Sequence, residues 1–418
     1  MNTKIAIIGL GYVGLPLAML FASKGYPVIG IDIDQSKVEK IKSGKSYLSD
    51  FTDQEVEAFM KTGRVDVTSD FSRAKTAEAI LLCVPTPLRE HKYPDLSYLQ
   101  TAISTLLPHL QTGQLLVLES STFPGTTEEV MLEMMEKTGL TVGEDLFIGY
   151  SPERIDPGNH MYTLGQIPKV VSGVTDNCLK KVTSIYGAAF ETLVPVSSPK
   201  VAEMTKILEN AQRLINISFM NEMAQICHGL DIDIWEVIQA ASTKPYGFTP
   251  YYPGPGIGGH CIPVDPLYLK WKANNANMPT AFIDLAKAVN DAQPRYIIKR
   301  IEELIGEPDG EKRVLLIGMT YKRDVNDVRE SMSIPVMEHV IGKGYHADYY
   351  DPYVEEIEIN QHVYQSMALD QDVIASYDCV VILTDHSEID YTALKAHAKL
   401  ILDTRNRISG HSKNVIRL

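Results

Sequence analysis

The chain has 418 residues, enough for two or three domains with hydrophobic cores of their own. Its 39 Lys and Arg residues against 53 Asp and Glu residues give a formal net charge of −14, so the average field repels nucleic-acid phosphates and anionic lipid surfaces. We therefore expect no nucleic-acid partner and no membrane partner. An anionic ligand has to be held locally, by helix N-termini and a few placed cations.

The five cysteines are few, odd in number and without CxxC spacing, which argues against a disulfide framework and against a zinc site. The N-terminal residues run straight into a strand-like pattern, and no stretch of 18 uninterrupted apolar residues occurs. We expect reduced thiols, no bound metal and a cytoplasmic location.

Strand and helix patterns alternate through the first part of the chain. An Ile-rich run at residues 4–9 predicts a strand ending in glycine, helical spacing covers residues 12–24, and strand character resumes at 27–34. Further strands are predicted at residues 79–84, 115–119, 146–149 and 170–172. This alternation is typical of a parallel doubly wound sheet.

Helical patterns dominate the middle of the chain, at residues 199–230, 232–242 and 280–305. A loop rich in Pro, Gly and Tyr interrupts them at residues 244–266, and long loops inside a compact chain are usually functional. The last part repeats the opening pattern incompletely, with strands predicted at 313–318, 346–351, 379–383 and 400–403 and a helix at 333–343. Because GMTYK stands where the first unit has GLGYVG, we do not assign it the same ligand.

The predicted fold is therefore α/β, with two Rossmann-like doubly wound domains joined by a long central helical connector. We place the first domain at residues 1–196, the connector at 197–305 and the second domain at 306–418.

Three glycines, Gly9, Gly11 and Gly14, form G-x-G-x-x-G between a predicted strand and a predicted helix. Asp32 ends the next strand, 18 residues beyond the last glycine. In such a turn the backbone approaches a pyrophosphate, and the acid accepts hydrogen bonds from ribose hydroxyls while repelling a 2′-phosphate. The pattern predicts NAD rather than NADP as cofactor; a glycine-rich turn without a ligand is the alternative.

Cys261 lies in a glycine-rich stretch that predicts a tight turn with exposed backbone, a setting that suits a nucleophile. Taken alone, a single cysteine is more often a buried packing residue. Asp265 follows four residues later.

Lys206 and Asn210 are spaced i,i+4 on a predicted helix, where an ammonium and an amide could face one developing oxyanion. The alternative is a solvated lysine with a nearby asparagine. We interpret Glu203 and Glu209 on the same helix as solvent-facing or pairing residues. Three further candidates follow predicted strand ends, where open α/β sheets bind ligands: Thr86, Thr122 and Glu153.

Seven motifs now occur in one order: GLGYVGL at 9–15, VPTP at 84–87, STFPGTT at 121–127, SPER at 151–154, KILENAQR at 206–213, GGHCIPVDP at 258–266 and GMTYKRDVNDVRES at 318–331. With them the chain resembles, along essentially its whole length, the nucleotide-sugar 6-dehydrogenases of the UDP-glucose/GDP-mannose dehydrogenase family.

The resemblance implies oxidation of a sugar C6 alcohol to a carboxylate with two NAD⁺, through a thiohemiacetal and a thioester on Cys261. It implies that Lys206 and Asn210 stabilise the oxyanion, that Asp265 and Thr122 orient or activate water, and that Glu153 is an acid/base. The cofactor-binding set it implies is Gly9, Gly11, Tyr12, Val13, Gly14, Asp32, Lys37, Thr86, Thr122 and Arg329. The substrate-binding set is Glu153, Arg154, Lys206, Asn210, Arg213, Tyr251, Gly258 and Lys322.

Two positions depart from the family pattern. Pro157 stands where the UDP-glucose branch has a second glutamate, so that residue's hydrolytic role does not carry over. Met332 stands where the family commonly has a proline, and we expect this replacement to have a mild effect.

The sequence of the loop at residues 243–273 most resembles that of the UDP-N-acetylglucosamine (UDP-GlcNAc) 6-dehydrogenases of surface polysaccharide synthesis. UDP-N-acetylmannosamine (UDP-ManNAc), UDP-N-acetylgalactosamine and UDP-glucose remain alternative substrates. A two-electron alcohol or hydroxy-acid dehydrogenase and a catalytically silent NAD-binding sensor are the competing kinds of protein.

The resemblance also favours a homodimer formed through the connector. Apolar residues lie on several faces of its first helix, more than one small domain readily covers: Ile215, Phe219, Met220, Met223 and Ile226. Packing within one chain is the alternative.

Overall fold

The computed structural model of the chain describes residues 3–48, 50–89, 93–154, 161–259 and 261–418. The chain divides into two compact units, one formed by Met1–Glu209 with Leu267–Met278 and the other by Asn210–Pro266 with Pro279–Leu418. No helix in the described ranges is both long enough and apolar enough to cross a membrane.

An eight-stranded sheet forms the centre of the first unit. Its strands are β1 (Ile5–Ile8), β2 (Val28–Ile31), β3 (Val65–Thr68), β4 (Ala79–Leu82), β5 (Leu115–Leu118), β6 (Phe147–Tyr150), β7 (Lys169–Gly173) and β8 (Leu193–Pro195). They lie in the order β3-β2-β1-β4-β5-β6-β7-β8. Side chains of β1 alternate between two cores, one on each face of the sheet, which is why the strand is an unbroken apolar run.

The sheet differs from the prediction at one end. Strand β7 runs antiparallel to β6 instead of parallel, and no α-helix is found in the described part of the chain between them. A parallel pair of strands needs a crossover connection, usually a helix, and the described residues between β6 and β7 contain no such helix. The edge strands β3 and β8 were not predicted because both are partly exposed and lack a continuous apolar run.

Six α-helices pack on this sheet: α1 (Gly14–Ser23), α2 (Gln35–Lys42), α3 (Asp53–Lys61), α4 (Ser97–Leu106), α5 (Leu132–Glu136) and α6 (Asp176–Tyr186). Short 3₁₀ segments lie at Phe71–Thr76, Leu107–His109 and Leu164–Gln166, and a π-helical turn at Thr127–Met131 leads into α5.

Four helices follow in the middle of the chain: α7 (Pro199–Gly229), α8 (Ile234–Ser242), α9 (Asp265–Asn275) and α10 (Ala281–Ile305). The 31-residue helix α7 belongs to the first unit up to Glu209 and to the second from Asn210 onward. The predicted loop forms neither helix nor strand in its described residues until Asp265 begins α9, so the prediction is confirmed there.

The second unit contains a five-stranded parallel sheet in the order β10-β9-β13-β14-β15 and a separate two-stranded ladder, β11-β12. These strands are β9 (Arg313–Ile317), β10 (His346–Tyr350), β11 (Glu356–Ile359), β12 (His362–Gln365), β13 (Cys379–Ile382), β14 (Ile401–Asp403) and β15 (Val415–Arg417). Its helices are α11 (Ser333–Lys343), α12 (Gln371–Ser376) and α13 (Tyr391–His397), beside the parts of α7 to α10 already named.

The repeated pattern is also a repeated geometry. Gly9 and Gly318 end β1 and β9 with φ of +90° and +88°. Asp32 accepts a hydrogen bond from the Leu10 amide at 2.7 Å, as Asp351 does from the Met319 amide at 2.6 Å. The predicted α/β fold class, with a long central helix, is confirmed.

Candidate active site

The glycine turn of the first unit has the geometry that its fingerprint predicts. A Cβ on Gly9 would lie 2.6 Å from the Cys83 carbonyl oxygen, and one on Gly14 would collide with the Gly9 carbonyl oxygen. A Cβ on Gly11, in contrast, would meet nothing within 4 Å. The backbone at Gly11 is therefore open to close approach by a ligand.

The start of α1 suits a pyrophosphate. The helix begins at Gly14, and among the described residues no side chain caps its first turn, so amide N–H groups are left for an anion. Tyr12 and Val13, both half-buried, form the turn that leads into the helix.

Asp32 presents a fixed carboxylate at the end of β2. It is 6% exposed, and its Oδ1 accepts from the Asp34 amide at 2.9 Å while its Oδ2 accepts from Leu10. Lys37 Nζ lies 3.9 Å from Oδ2. The open glycine backbone, the uncapped helix start and this acid together fit NAD: the first two would hold the pyrophosphate, and Asp32 the ribose hydroxyls.

Two predicted threonines follow the carboxyl ends of the neighbouring strands β4 and β5. Thr86 is buried and donates its hydroxyl to the Ser121 carbonyl at 2.6 Å, while Tyr268 of α9 donates to the Thr86 carbonyl. Thr122 is 1% exposed, and its Oγ1 has no hydrogen-bond partner within the described residues. A buried hydroxyl of this kind is suited to meet a ligand or a water.

Glu153 belongs to a buried charge cluster that the sequence analysis missed. Lys169 Nζ lies 2.6 Å from Glu119 Oε2 and 3.8 Å from Glu153 Oε2, and it donates to the Pro152 carbonyl at 3.1 Å. Tyr186 donates its hydroxyl to Glu119. Burial raises the pKa of the Glu119 carboxyl to about 7. The missed signal was a charged residue directly after β5 and another beginning β7, in otherwise apolar runs.

The interpretation of Glu203 as a solvent-facing or pairing residue is wrong. Its carboxylate is fully buried and accepts from the Gly125 amide at 2.5 Å and from the Thr127 amide at 2.9 Å. The Glu203 carboxylate therefore caps the turn that contains the Gly125 and Thr127 amides. Glu209 does pair: its Oε1 lies 2.7 Å from Arg154 Nη2. Pro157 lies outside the described residues.

Lys206 is only 8% exposed on α7, so it is not a solvated surface lysine. One turn later on the same helix Asn210 is 3% exposed, and its Nδ2 donates to Asp265 Oδ2 at 2.6 Å. Asp265 itself is 1% exposed. The structure thus brings two of the predicted catalytic residues of the second unit into direct contact.

Cys261 lies at a tight turn before α9, where its carbonyl accepts from the Val264 and Asp265 amides at 3.2 and 2.9 Å. All five cysteines fall in the described ranges; none forms a disulfide, and Cys261 alone is exposed while the other four are buried. The alternative of a buried packing cysteine is therefore wrong for Cys261.

The remaining predicted substrate residues of the second unit are spread over several elements. Tyr251, Gly258 and Lys322 are half-buried, and Arg213 is exposed on α7. Arg329, predicted as a cofactor contact, is exposed and places its guanidinium on Asp327, with Nη2 2.6 Å from Oδ2.

Comparison with known proteins identifies the chain. The NAD binding domain of the UDP-glucose/GDP-mannose dehydrogenase family matches residues 3–190, its central domain residues 200–292 and its UDP binding domain residues 315–410. The chain belongs to the UDP-glucose/GDP-mannose dehydrogenase family.

Relatives in this family match over nearly the full length. The UDP-N-acetyl-D-mannosamine dehydrogenase of Methanococcus vannielii is 34% identical, over 96% of this chain and 92% of the relative. The UDP-N-acetyl-D-glucosamine 6-dehydrogenase of Pseudomonas aeruginosa is also 34% identical, over 93% and 91%. The solved UDP-D-ManNAc dehydrogenase of Pyrococcus horikoshii superposes with a TM-score of 0.89 at 30% identity, covering 99% of this chain and 98% of that one.

Membership of the UDP-glucose/GDP-mannose dehydrogenase family makes the protein an NAD-dependent UDP-sugar dehydrogenase, an oxidoreductase. The prediction of NAD as cofactor is confirmed. The UDP binding domain lies in the second unit, on the incomplete repeat that lacks the glycine fingerprint.

Proposed function

We propose that the protein oxidises the C6 hydroxyl of a UDP-N-acetylhexosamine to a carboxylate in two NAD-dependent steps, with Cys261 holding the intermediate. The observation that carries this proposal is the exposed Cys261 thiol on its tight turn, in a family member whose other cysteines are all buried. The buried Asn210–Asp265 pair in the same unit supports it.

In the first oxidation the C6 alcohol loses a proton and a hydride and becomes an aldehyde. When bound, NAD⁺ would supply the hydride acceptor, one molecule for each of the two oxidations. Glu153 is the group that we assign to accept the proton, and its Oε2 lies 3.8 Å from Lys169 Nζ. Thr122, buried and without a hydrogen-bond partner in the described chain, is assigned to orient the water used later.

In the second oxidation the Cys261 thiolate adds to the aldehyde carbon, forming a C–S bond and an oxyanion that is protonated to a thiohemiacetal. We assign Lys206 and Asn210 to stabilise that oxyanion, one by its charge and the other by its amide. Loss of the hydroxyl proton and of a second hydride gives a thioester, which water cleaves to the carboxylate and the thiol. Asp265, held by Asn210, is assigned to accept a proton from that water.

We assign NAD binding to residues 1–196, the helical connector to 197–305 and UDP-sugar binding to 306–418. The proposed cofactor contacts are those of the glycine turn, with Asp32, Lys37, Thr86, Thr122 and Arg329. The proposed substrate contacts are Glu153, Arg154, Lys206, Asn210, Arg213, Tyr251, Gly258 and Lys322.

The epimer of the sugar is the finer part of the proposal. The sequence of the loop at residues 243–273 favours UDP-GlcNAc. Of the two relatives named above, one is a UDP-ManNAc dehydrogenase and the other a UDP-GlcNAc 6-dehydrogenase. We propose one of these two, as a precursor of a surface polysaccharide.

An NADH assay across UDP-glucose, UDP-GlcNAc, UDP-ManNAc, UDP-N-acetylgalactosamine and GDP-mannose tests the substrate. We expect the highest kcat/KM with UDP-GlcNAc or UDP-ManNAc, and two NADH per sugar. A preference for UDP-glucose or GDP-mannose would contradict the N-acetyl assignment. Binding of NAD and UDP-sugars without turnover would instead indicate a silent sensor.

We also propose a homodimer formed through α7. Phe219 is 54% exposed and Ile226 47% exposed on this helix, whereas Met220 is buried in the same unit. Large apolar side chains left exposed along one helix are typical of an interface.

A further inference from the structure

Three buried amide side chains hold the backbone of the loop that leads to Cys261. They are Asn221 on α7 and Asn290 and Gln293 on α10, each at most 1% exposed, and we call them the amide clamp. Asn221 Oδ1 accepts from the Gly254 amide at 2.9 Å, and Gln293 Nε2 donates to the Gly254 carbonyl at 2.7 Å. Both backbone groups of Gly254 are thus occupied by side chains.

Asn290 holds Ile257 in the same two-point manner. Its Oδ1 accepts from the Ile257 amide at 2.6 Å, and its Nδ2 donates to the Ile257 carbonyl at 3.2 Å. Nδ2 also lies 3.9 Å from Met332 Sδ, next to the start of α11. A buried amide costs free energy unless it is bonded, so this geometry is demanding and specific.

The other side of the loop is packed against the segment that carries Lys322 and Arg329. The Gly259 amide donates to the Arg329 carbonyl at 3.2 Å, and a Cβ on Gly258 would lie 2.5 Å from the Glu330 carbonyl oxygen. A Cβ on Gly259 would lie 2.7 Å from the Tyr321 ring. The loop is therefore fixed between the amide clamp and the 321–332 segment.

We propose that Asn290 is a positioning residue for Cys261. By holding Ile257 at both backbone groups and contacting Met332, it sets the place of the thiol relative to the segment that we assign to the nucleotide sugar. The inference rests on the proposed function, because it gives the loop a role only if Cys261 is the nucleophile. A shift of about 1 Å in a reacting group can cost on the order of a hundredfold in rate.

Asn290→Leu, which is close to isosteric, tests the proposal in the full-length enzyme. We expect oxidation of the aldehyde to slow by about a hundredfold while oxidation of the alcohol changes by less than about threefold. NADH per sugar then falls from two toward one, and hydroxylamine traps the released aldehyde. Iodoacetamide, which reaches Cys261 as the exposed thiol, should show a changed rate and a changed midpoint pH.

Ser218→Ala is the matched control. Ser218 is 2% exposed on α7 and donates to the Ala286 carbonyl of α10 at 2.9 Å, so the variant loses a buried hydrogen bond between the same two helices and keeps the hydrogen bonds of the amide clamp to the loop. It should lose stability but keep the wild-type ratio of the two oxidations. If it reproduces the Asn290→Leu pattern, the effect is general destabilisation and the proposal is wrong.

Asn290→Asp covers the case in which the leucine variant does not fold. It keeps the acceptor for the Ile257 amide but places an oxygen against the Ile257 carbonyl, so the aldehyde step should again slow selectively. Wild-type aldehyde oxidation in either folded variant overturns the proposal. Failure of the proposed function is separate: it shows in the wild type, as one NADH per sugar, or in an unchanged Cys261→Ser enzyme.

Discussion

Two carboxyl groups of the first unit, those of Asp32 and Glu119, have different properties because their surroundings differ. The Asp32 carboxylate accepts hydrogen bonds from two backbone amides just after β2, and these bonds fix its orientation. Glu119 lies in the core, bonded to Lys169 and Tyr186, and burial raises the pKa of its carboxyl to about 7. The first was predictable from spacing, whereas the second required the tertiary structure.

Asp32→Asn should weaken NAD binding and reduce discrimination against NADP. The amide keeps an acceptor for the Leu10 N–H but loses the charge, so we expect the KM for NAD to rise about tenfold, the size of one charge-assisted hydrogen bond. Steady-state kinetics with both cofactors measure this. Asp34→Asn, two residues away and exposed, is the control and should change neither value. Unchanged cofactor preference in Asp32→Asn would contradict the role of Asp32.

Glu119→Gln should change how stability depends on pH. Because burial raises the pKa of Glu119 from 4.5 to about 7, the folded state holds a proton that the unfolded state has released between these values. The stabilisation is complete below about pH 4.5 and is lost as the pH rises through 7, by on the order of 3 kcal/mol. Denaturant unfolding of both proteins from pH 4.5 to 7.5 should show the wild type losing more stability than the variant. Parallel curves would contradict the raised pKa.

At the scale of elements, the sequence predicted what a local pattern encodes. The β1–α1–β2 unit followed from an apolar run, three glycines and an acid, and α11 was predicted at its observed bounds. The β11–β12 hairpin was missed because Asn360 and Gln361 take positive φ at its tip, where glycine is the usual signal. The amide clamp was missed because its residues meet the loop about 33 positions away in sequence.

Two glycines of the loop before Cys261 have different amounts of space around them, and this difference predicts different effects of substitution by alanine. Gly247 and Gly259 both have positive φ, +74° and +88°, but a Cβ on Gly247 would have only Lys244 Nζ, at 3.8 Å, within reach. We expect Gly247→Ala to cost about 1 kcal/mol and to leave turnover unchanged. Gly259→Ala also collides with Tyr321, so it should lose more stability and most of the aldehyde oxidation.

Urea unfolding and NADH yield per sugar measure both effects of the glycine substitutions. Equal loss of activity in the two alanine variants would show that backbone strain alone matters, and not the contact between Gly259 and Tyr321.

At the scale of the whole molecule, the net charge of −14 repels a ligand that carries two phosphates. We propose that a ligand is held locally, by the open backbone at Gly11 and by the start of α1, which no side chain caps in the described residues. Length predicted two or three domains, and the net charge predicted no nucleic-acid partner. They contained no information on subunit number.

Light scattering should give a mass near twice the 46.5 kDa of one chain. Phe219→Lys puts a charge on the exposed apolar face of α7 and should shift the protein toward the monomer. Val363→Lys, at a residue that is 51% exposed on β12, is the control and should leave the mass unchanged. A wild-type mass near 46.5 kDa would contradict the proposed dimer.

The most direct test of the proposed mechanism is the number of NADH formed per UDP-sugar by the wild type and by Cys261→Ala. With limiting UDP-N-acetylhexosamine and excess NAD, we expect two NADH and a uronate from the wild type. The variant should form at most one NADH and accumulate an aldehyde that hydroxylamine traps. Two NADH per sugar at the wild-type rate from Cys261→Ala would contradict covalent catalysis by Cys261.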